Sequence, residues 1–188
     1  TLSRNFQMQF LRPLIGRRDV EVVLRSGSQP ELLRGLEAMA LDVVLTNLAP
    51  ARDAASRYLI QRIDEQPVSL IGTPDRLGPT PRPLRDLLSE IPLILPTPET
   101  ALRAGFDALI ARLDISPQIA AEADDMAMLR LLVREDAGLA VIPPIVVRDE
   151  LESGRLTEAA RLDGITETFL AVTLERRFPN PLLADLLA

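Results

Sequence analysis

The chain of 188 residues contains no cysteine, histidine or tryptophan, and all 21 of its basic residues are arginines. These absences exclude thiol and imidazole catalysis, Schiff-base lysines, the phosphate-binding lysine of P-loops and zinc sites built from Cys and His. Serine or carboxylate catalysis stays formally open, but no G-x-S-x-G motif occurs and the acidic residues are scattered along predicted helix faces. We therefore expect neither an enzyme nor a protein that carries a cofactor.

The sequence also lacks a long apolar run and an excess of basic residues. No stretch approaches the roughly 20 apolar residues that a membrane helix needs, and no charged-then-apolar leader opens the chain. The net charge of −6 disfavours a nucleic-acid-binding surface within this chain. With 47% hydrophobic and 26% charged residues, the composition predicts a globular protein that acts in the cytoplasm, away from membranes.

What is present is an alternation of strand-like and helix-like segments. Phe6, Phe10 and Leu14 have the spacing of one helix face, and residues 20–24 form a short apolar run that predicts a strand. Repeated along the chain, this alternation predicts an α/β fold with a largely parallel sheet. The Gly- and Pro-rich residues 72–83 predict a linker rather than an element.

Local signals predict where several helices begin. Ser28, followed three residues later by Glu31, forms a capping box, and the apolar face of the helix that it opens extends to Met39. Thr97 caps a second helix, and Asp124 can cap a third. Each signal fixes one end of a predicted element.

The segment DAGLAVIPP, residues 136–144, predicts a sharp transition. Gly138 is expected to end the preceding helix in the left-handed conformation that glycine adopts without strain. Residues 139–142 form a short apolar run typical of a buried strand, and Pro143 and Pro144 end it because proline cannot donate a ladder hydrogen bond. The chain then leaves the strand at its carboxyl end, the edge where open α/β sheets bind ligands.

Several stretches carry a resemblance to a known family. They are FLRPLI with VEVVLRSGSQPELLRGLEAMALDVVLTN near the start, PVSLIGTP in the middle, and LRLLVREDAGLAVIPPIVVRDELESGRL near the end. In their order and spacing, the chain resembles the effector-binding domain of LysR-type transcriptional regulators over essentially its whole length. Ala137 stands where that family more usually has glycine. The stretches LPTPETALRAGFDALI and ITETFLAVTLERRFPNPLL further resemble the subgroup that activates sodium/proton antiporter genes in response to sodium.

The resemblance implies two Rossmann-like subdomains of the periplasmic-binding-protein type II fold, joined by crossover strands. Subdomain one would comprise residues 1–73 and 158–188, and subdomain two residues 74–157, with a small-molecule or ion inducer in the cleft between them. The DNA-binding winged helix-turn-helix of the family is absent from this chain, so DNA would be contacted only through that domain. Effector binding would then control DNA binding and transcription by the full-length regulator.

The residues expected to contact the effector stand at predicted strand ends and helix starts: Ser3, Thr46, Asn47, Thr97, Thr100, Asp124 and Ile142. Structural roles compete with this interpretation, because Ser, Thr and Asp are favoured helix caps and small polar residues are common where strands end. The sequence leaves both readings open for every one of these positions.

Charge patterning favours a neutral or cationic effector. No arginine stands at an obvious predicted strand end, where a bidentate guanidinium would recognise a carboxylate, whereas Glu99, Asp124 and Asp125 cluster at predicted helix starts. A sodium ion would need several oxygen ligands, and the carbonyls near Pro96 and Pro143 could join these acids. Specific metal ligands are not defined by the sequence.

The resemblance also implies an antiparallel homodimer, which would become a tetramer in the full-length regulator. In the family, the first helix and the following strand of subdomain one meet the corresponding elements of subdomain two in the partner. Two predicted helices carry apolar residues further around their circumference than one core-facing stripe requires, which indicates a partner interface. The interface residues expected on this basis are Phe6, Met8, Phe10, Leu11, Phe106 and Ile110.

Two other functions remain open at this point. A periplasmic solute-binding protein of the same fold is the main alternative, although it would need a leader and usually a longer chain. An enzyme on the same fold is the other, with few candidate residues. A helix-turn-helix encoded upstream of this chain would exclude the solute carrier.

Overall fold

The computed structural model describes residues 2–51, 57–178 and 180–187. The helices are α1 (Arg4–Leu11), α2 (Gln29–Glu37), α3 (Pro74–Leu77), α4 (Leu84–Glu90), α5 (Ala101–Leu113), α6 (Met126–Arg134), a 3-10 helix (Pro144–Val147), α7 (Arg148–Glu152) and α8 (Leu182–Leu187). The strands are β1 (Val44–Thr46), β2 (Tyr58–Gly72), β3 (Leu93–Pro96), β4 (Ile119–Ala123), β5 (Leu139–Ile142) and β6 (Thr157–Leu174). Among the described residues, no helix has both the length and the apolar character to span a bilayer.

The prediction of an α/β fold is confirmed, but the sheet is mixed rather than largely parallel. Its strand order is β1-β6-β2-β5-β3-β4. β3 pairs in parallel with β4 and with β5, while β5 pairs antiparallel with β2, and β1 pairs antiparallel with β6. The parallel part therefore consists of the three strands that alternate with α5 and α6 along the chain.

The chain divides into two compact units. The large unit comprises Thr1–Phe6 and Gln66–Glu167, and the small unit comprises Gln7–Glu65 and Thr168–Ala188. Two of the points at which the chain passes from one unit to the other lie within the long strands β2 and β6. In β2 the burial pattern changes after Pro67: the five residues that follow are all buried, whereas the earlier part of the strand is largely exposed or half-buried.

The core of the large unit is built on β3 and β5. All four residues of each of these strands are buried, which is expected of strands covered on both faces. α5 contributes Leu102 and Phe106 to this core, and α6 contributes Leu129 and Val133, all without exposed surface. The spacing of these helical residues follows the 3.6-residue period that the sequence displays.

The predicted strand at residues 20–24 is wrong. No regular element is present there, and Val22, Val23 and Leu24 are 39%, 65% and 61% exposed. A strand is stable only when its backbone groups pair with a neighbour, and this stretch pairs with none of the described strands. The apolar pattern is therefore present in the sequence without the pairing that would turn it into a strand.

The transition at DAGLAVIPP takes place as predicted, but by a different residue. Asp136, with φ of 57°, adopts the left-handed conformation after α6, and its N–H donates to the carbonyl of Val133 at 3.1 Å. Gly138 is required for another reason, because a Cβ at this position would lie 2.3 Å from the carbonyl oxygen of Pro92. The glycine permits a close approach of two backbone segments rather than a turn.

Three further local predictions concern α2 and the stretch after β2. The pairing of Ser28 with Glu31 is confirmed, since the Glu31 carboxylate accepts the N–H and the hydroxyl of Ser28 at 2.9 and 2.7 Å. Met39 is not part of the apolar face: it follows the helix with φ of 57° and is 73% exposed. Residues 72–83 are not only a linker, because α3 begins within them, capped by Thr73.

Candidate functional site

The carboxyl ends of three parallel strands meet at one edge of the sheet in the large unit. Pro96 at the end of β3 lies opposite Ala123 at the end of β4, and β5 runs beside β3 in the same direction. Open α/β sheets bind ligands at this edge, because the connections that leave it are free to vary. We call this region the strand-end site and define it by residues 96–100, 123–125 and 143.

The connection after β3 is a tight polar turn. The N–H of Thr97 donates to the carbonyl of Ala123 at 3.2 Å, and the carbonyl of Thr97 accepts the N–H and the hydroxyl of Thr100 at 3.3 and 3.2 Å. Thr100 is the N-cap of α5, since its Oγ1 accepts the N–H of Arg103 at 3.1 Å. The expectation that Thr97 caps this helix is therefore corrected: the helix begins almost one turn later.

Glu99 adds a negative charge to this turn. Hydrogen bonds from its own backbone N–H and from the hydroxyl of Thr97 hold the pKa of its carboxyl below the ordinary value. The carboxylate is thus ionised at neutral pH. Because Thr97 donates to Glu99, its hydroxyl is already engaged within the turn.

Arg103 was missed by the sequence analysis, which placed no arginine at a strand end. Its side chain is only 11% exposed, and its Nη1 donates to the carbonyl of Pro96 at 2.9 Å. The same guanidinium forms ion pairs with Asp107 at 2.8 Å and with Glu122 at 2.5 Å. The detectable signal was the spacing of Arg103 and Asp107, four residues apart on a helix, beside the buried apolar stripe.

The connection after β4 carries two aspartates. Asp125, not Asp124, is the N-cap of α6, because its Oδ1 accepts the N–H of Ala127 at 3.1 Å. Asp124 is exposed and lies directly after Ala123, the residue whose carbonyl binds the turn after β3. The structure therefore brings Asp124 and Thr97 to the same edge of the sheet.

Three of the predicted contact residues are buried, and two of them, Ile142 and Ser3, lie in the large unit. Ile142 at the end of β5 has no exposed surface, so the expectation that its side chain meets an effector is corrected: it belongs to the core. Ser3 is 2% exposed, and its Oγ accepts the N–H of Phe6 at 3.3 Å, which caps α1. Nearby, Asn5 donates to the carbonyl of Val146 at 3.5 Å, which ties the start of α1 to the segment after β5.

Thr46 and Asn47 belong to the small unit. Thr46 ends β1 and is 8% exposed; its Oγ1 accepts the side-chain N–H of Gln29 at 3.1 Å and the N–H of Leu48 at 3.2 Å. The same hydroxyl donates to the carbonyl of Leu48 at 3.1 Å. Its hydrogen-bonding capacity is used within the unit. Asn47, the next residue, is half-buried.

The carbonyls expected to serve a sodium ion already have donors. Pro96 accepts the guanidinium of Arg103, and Pro143 accepts the N–H of Val146 at 3.0 Å. A cation at Pro96 would lie beside a positive charge, which corrects the expectation for that carbonyl. Within residues 2–51, 57–178 and 180–187, no group of three or more acidic side chains is arranged to hold a metal ion.

The apolar residues expected at a dimer interface divide by burial. Phe106 is fully buried, Phe6 and Leu11 are 3% and 7% exposed, Ile110 packs against the core of the large unit, and Phe10 is half-buried. Leu109 and Ile110, neighbours on α5, both contact that core, so the apolar residues around this helix do not by themselves indicate a partner interface. Of the six, Met8 alone is exposed, at 50%.

The sequence as a whole matches the family model of the LysR substrate binding domain over residues 3–188. The chain therefore belongs to the LysR substrate-binding domain family, whose periplasmic-binding-protein type II-like fold it shares. No curated protein sequence is significantly similar to it.

Solved structures with the same fold include three that span nearly the whole chain. The regulatory domain of HypT from Salmonella typhimurium is 14% identical, with a TM-score of 0.71 over 99% of this chain and 87% of that one. CbnR, a LysR family transcriptional regulator, is 19% identical with a TM-score of 0.74, over 96% of this chain but only 62% of CbnR. The effector binding domain of QuiR in complex with shikimate is 15% identical, with a TM-score of 0.63 over 97% of this chain and 84% of that one.

Proposed function

We propose that this chain is the effector-sensing domain of a LysR-type transcriptional regulator, and that its effector binds at the strand-end site. The observation that carries the proposal is the convergence of three parallel strand ends, two of them followed by polar connections, within a domain of this family. Thr97, Thr100 and Asp124 are the residues that we assign to effector contact there, with Ser3 at the neighbouring start of α1. Thr46 and Asn47 belong to the small unit and are not part of this proposal.

The charges of the site favour a neutral or cationic effector with hydrogen-bonding groups. Glu99, Asp124 and Asp125 are acidic, and the positive charge of Arg103 is already balanced by two carboxylates. A carboxylate ligand would therefore meet net negative charge. The resemblance to sodium-responsive regulators makes sodium one candidate, although the guanidinium on Pro96 argues against that carbonyl as a ligand.

The proposal is tested by amide NMR spectra of the chain during titration. One series adds sodium chloride against choline chloride at constant ionic strength, and another adds shikimate, the ligand of QuiR, as a carboxylate comparison that the negative charge of the site should disfavour. Binding should shift the amide signals of Thr97, Thr100 and Asp124, and Asp124→Asn should weaken the response. Asp75→Asn, an exposed aspartate of α3, is the matched control. Shifts confined to residues outside the strand-end site would refute the assignment of the effector site.

In the full-length regulator, effector binding would shift an equilibrium between conformations by the difference in affinity for the two states. DNA contact would be made by a winged helix-turn-helix outside this chain, and the protein would act in the cytoplasm, where the DNA is. The competing function is a periplasmic solute-binding protein. Sequencing of the gene upstream of Thr1 separates the two, because a helix-turn-helix there supports the regulator and a secretory leader supports the carrier.

We also propose that the chain forms a homodimer through exposed apolar residues of both units. In the small unit these are Met8 and the stretch Val22–Leu24; in the large unit they are Ile119 on β4 and Met128 and Leu131 on α6, exposed by 44–47%. β4 ends the strand order of the sheet, so one of its edges is not covered by a described strand. Exposed apolar patches of this kind mark protein interfaces in soluble domains.

Sedimentation velocity at micromolar concentration tests the dimer. Met8→Glu and Met128→Glu should each produce folded monomers, because a charge would be buried without a partner at the interface. Leu48→Glu, which changes a side chain of similar exposure outside these patches, is the control. A monomer for the unaltered chain, or equal dissociation by the control variant, would overturn the proposal.

A further inference from the structure

Arg103 is the arginine with the most enclosed side chain among those that form ion pairs in the described part of the chain, at 11% exposed. It contacts three elements at once. Its Nη1 reaches the carbonyl of Pro96 on β3 and the carboxylate of Glu122 on β4, and its Nε reaches Asp107 on its own helix. An arginine provides this fork because its donors are held in one plane and point in different directions.

The backbone of the same residue closes the turn from the other side. The N–H of Arg103 donates to Oγ1 of Thr100, and the hydroxyl of Thr100 donates to the carbonyl of Thr97. The turn from Pro96 to Thr100 is thus held at its beginning by the side chain of Arg103 and at its end by its main chain.

We infer that Arg103 is a positioning residue for effector recognition, because it holds the turn Pro96–Thr100 in one conformation at the strand-end site. The inference rests on the proposed function, in which this turn contacts the effector. Arg103 acts through the carbonyl of Pro96 and the hydroxyl of Thr100 and need not touch the ligand. A binding site needs such support, because contact residues on a loop are positioned only as well as their neighbours fix them.

If Arg103 served only to stabilise its own helix, it would need only one of these contacts. An ion pair between Arg103 and Asp107, four residues apart on α5, would stabilise that helix and leave the turn unaffected. The bond to Pro96 and the ion pair to Glu122 are the additional features, since both partners lie on other elements. The distinguishing readout is therefore the local order of the turn rather than the overall stability.

The test compares Arg103→Met, which keeps the apolar stem and removes the guanidinium, with Arg103→Lys, which keeps the charge but not the fork. Arg130→Met is the matched control: Arg130 also forms ion pairs with two acids, Asp149 and Glu150, but it lies on α6. Hydrogen exchange of backbone amides is measured by NMR in the absence of any effector. The milder lysine variant keeps the test decisive if the methionine variant does not fold.

The expected result is faster exchange of the Thr100 and Arg103 amides, on the order of tenfold in Arg103→Met, with little change at the β3 residue Leu95. Arg103→Lys should lie between this variant and the unaltered chain, and Arg130→Met should leave the turn unchanged. Unchanged exchange at the turn in both Arg103 variants would overturn the inference. So would equal acceleration by Arg130→Met, because that would indicate general loosening of the unit.

The same variants then enter the sodium chloride and shikimate titrations. For a probe that shifts the Thr97 and Thr100 signals of the unaltered chain, Arg103→Met should weaken binding on the order of tenfold and Arg130→Met by less than about twofold. If Arg103→Met loosens the turn but leaves the affinity for the probe unchanged, the proposed role of Arg103 in effector recognition is overturned. If no probe shifts the site in the unaltered chain, the effector assignment fails, whereas the exchange experiment still decides whether Arg103 orders the turn.

Discussion

The two units of this chain differ in the size of their buried apolar clusters and in the apolar surface that they expose. In the large unit, buried strands and the inner faces of α5 and α6 form one continuous apolar cluster. In the small unit, the cluster around Leu36, Val44 and Val172 is much smaller. Among the described residues, nine of the twelve exposed large apolar side chains belong to the small unit: Met8, Ile15, Val22, Val23, Leu24, Met39, Leu48, Leu59 and Phe178.

The units also differ in charge. The large unit holds 11 arginines and 17 acidic residues, and the small unit holds 10 of each, so the whole net charge of −6 lies on the large unit. The large unit is therefore acidic and exposes few large apolar side chains, whereas the small unit has no net charge and exposes more of them. Charge favours solubility, whereas exposed apolar surface favours association. The difference indicates that the small unit depends more strongly on contacts from outside itself.

The largest expected effect breaks the core of the large unit. Phe106→Ala removes a fully buried ring and should lower the free energy of unfolding by about 3–5 kcal/mol, because the cavity is not refilled. Phe178→Ala in the small unit removes a ring that is 82% exposed and stacks only with Arg177 at 5.5 Å. Its cost should stay below about 1 kcal/mol.

Urea unfolding followed by circular dichroism measures both phenylalanine variants. Equal shifts of the midpoint for Phe106→Ala and Phe178→Ala would contradict the comparison between the units. Such a result would mean that the ring of Phe178 is buried in solution by a contact that the structure of a single chain does not contain.

A second pair of substitutions tests backbone approach within the large unit. Gly138→Ala places a Cβ against the carbonyl of Pro92, and the backbone shift should cost about 1–3 kcal/mol. Gly105→Ala in α5 meets only Ile165, at 3.4 Å, and should stabilise the helix by up to about 1 kcal/mol. The midpoint temperature of thermal unfolding should therefore fall for Gly138→Ala and rise for Gly105→Ala. A higher midpoint for Gly138→Ala would exclude the close approach.

Much of the fold could be predicted from the sequence, because hydrophobic period and capping residues are local signals. β5, α5 and the pairing of Ser28 with Glu31 were all predicted from nearby residues. The strand at residues 20–24 failed because its existence depends on a partner, which no local pattern contains. Its apolar residues are visible in the sequence, but pairing is a property of the whole sheet.

The candidate site was predicted less completely, and for a related reason. Thr97, Thr100 and Asp124 could be proposed from the sequence because strand ends and helix starts are visible in it. Arg103 was missed because its partners Pro96 and Glu122 lie on different strands, so its role appears only when the strands are placed side by side. Ile142 was misassigned because a residue at a strand end can still face the core.

Residues with a Cβ adopt the left-handed conformation after a helix in both units, at Met39 in the small unit and at Asp114 and Asp136 in the large unit, and their side-chain support differs. Met39 and Asp136 both have φ of 57° after a helix, a conformation that costs a residue with a Cβ about 1 kcal/mol or more. Met39 is 73% exposed, so Met39→Gly should raise the free energy of unfolding by about 0.5–1 kcal/mol. Asp136→Gly should give no gain, because the lost carboxylate binds Arg76 and Thr73, each at 2.7 Å.

Chemical denaturation of both glycine variants, with Met39→Ala as the control that keeps the Cβ, measures this difference. If Asp136→Gly stabilised the chain as much as Met39→Gly, the side-chain contacts of Asp136 would contribute nothing. A neutral result for Met39→Gly would instead show that the left-handed residue is relaxed at no cost in the small unit.

The smallest expected effect is the pH dependence of the Asp136 contacts. Hydrogen bonds from Arg76 and Thr73 hold the pKa of the Asp136 carboxyl below its ordinary value. A carboxyl whose pKa is lower in the folded state binds its proton more readily when unfolded, so its contribution is complete above about pH 4–5 and is lost as the pH falls through the folded pKa. The side chain is 45% exposed, so solvent screening limits this contribution to at most about 1 kcal/mol.

The measurement is the difference in unfolding free energy between the unaltered chain and Asp136→Asn at a series of pH values from 7 to 2.5. The difference should favour the unaltered chain at neutral pH and shrink towards the acid end, because protonation abolishes the ion pair with Arg76. Asp19 in the small unit provides the comparison: Arg17 also lowers the pKa of its carboxyl, but the pair is exposed and spans only two residues of sequence. The difference in unfolding free energy should therefore depend less on pH for Asp19→Asn than for Asp136→Asn, because Asp136 connects α3 to the turn after α6. An equal pH dependence would mean that this tertiary connection adds nothing to a local ion pair.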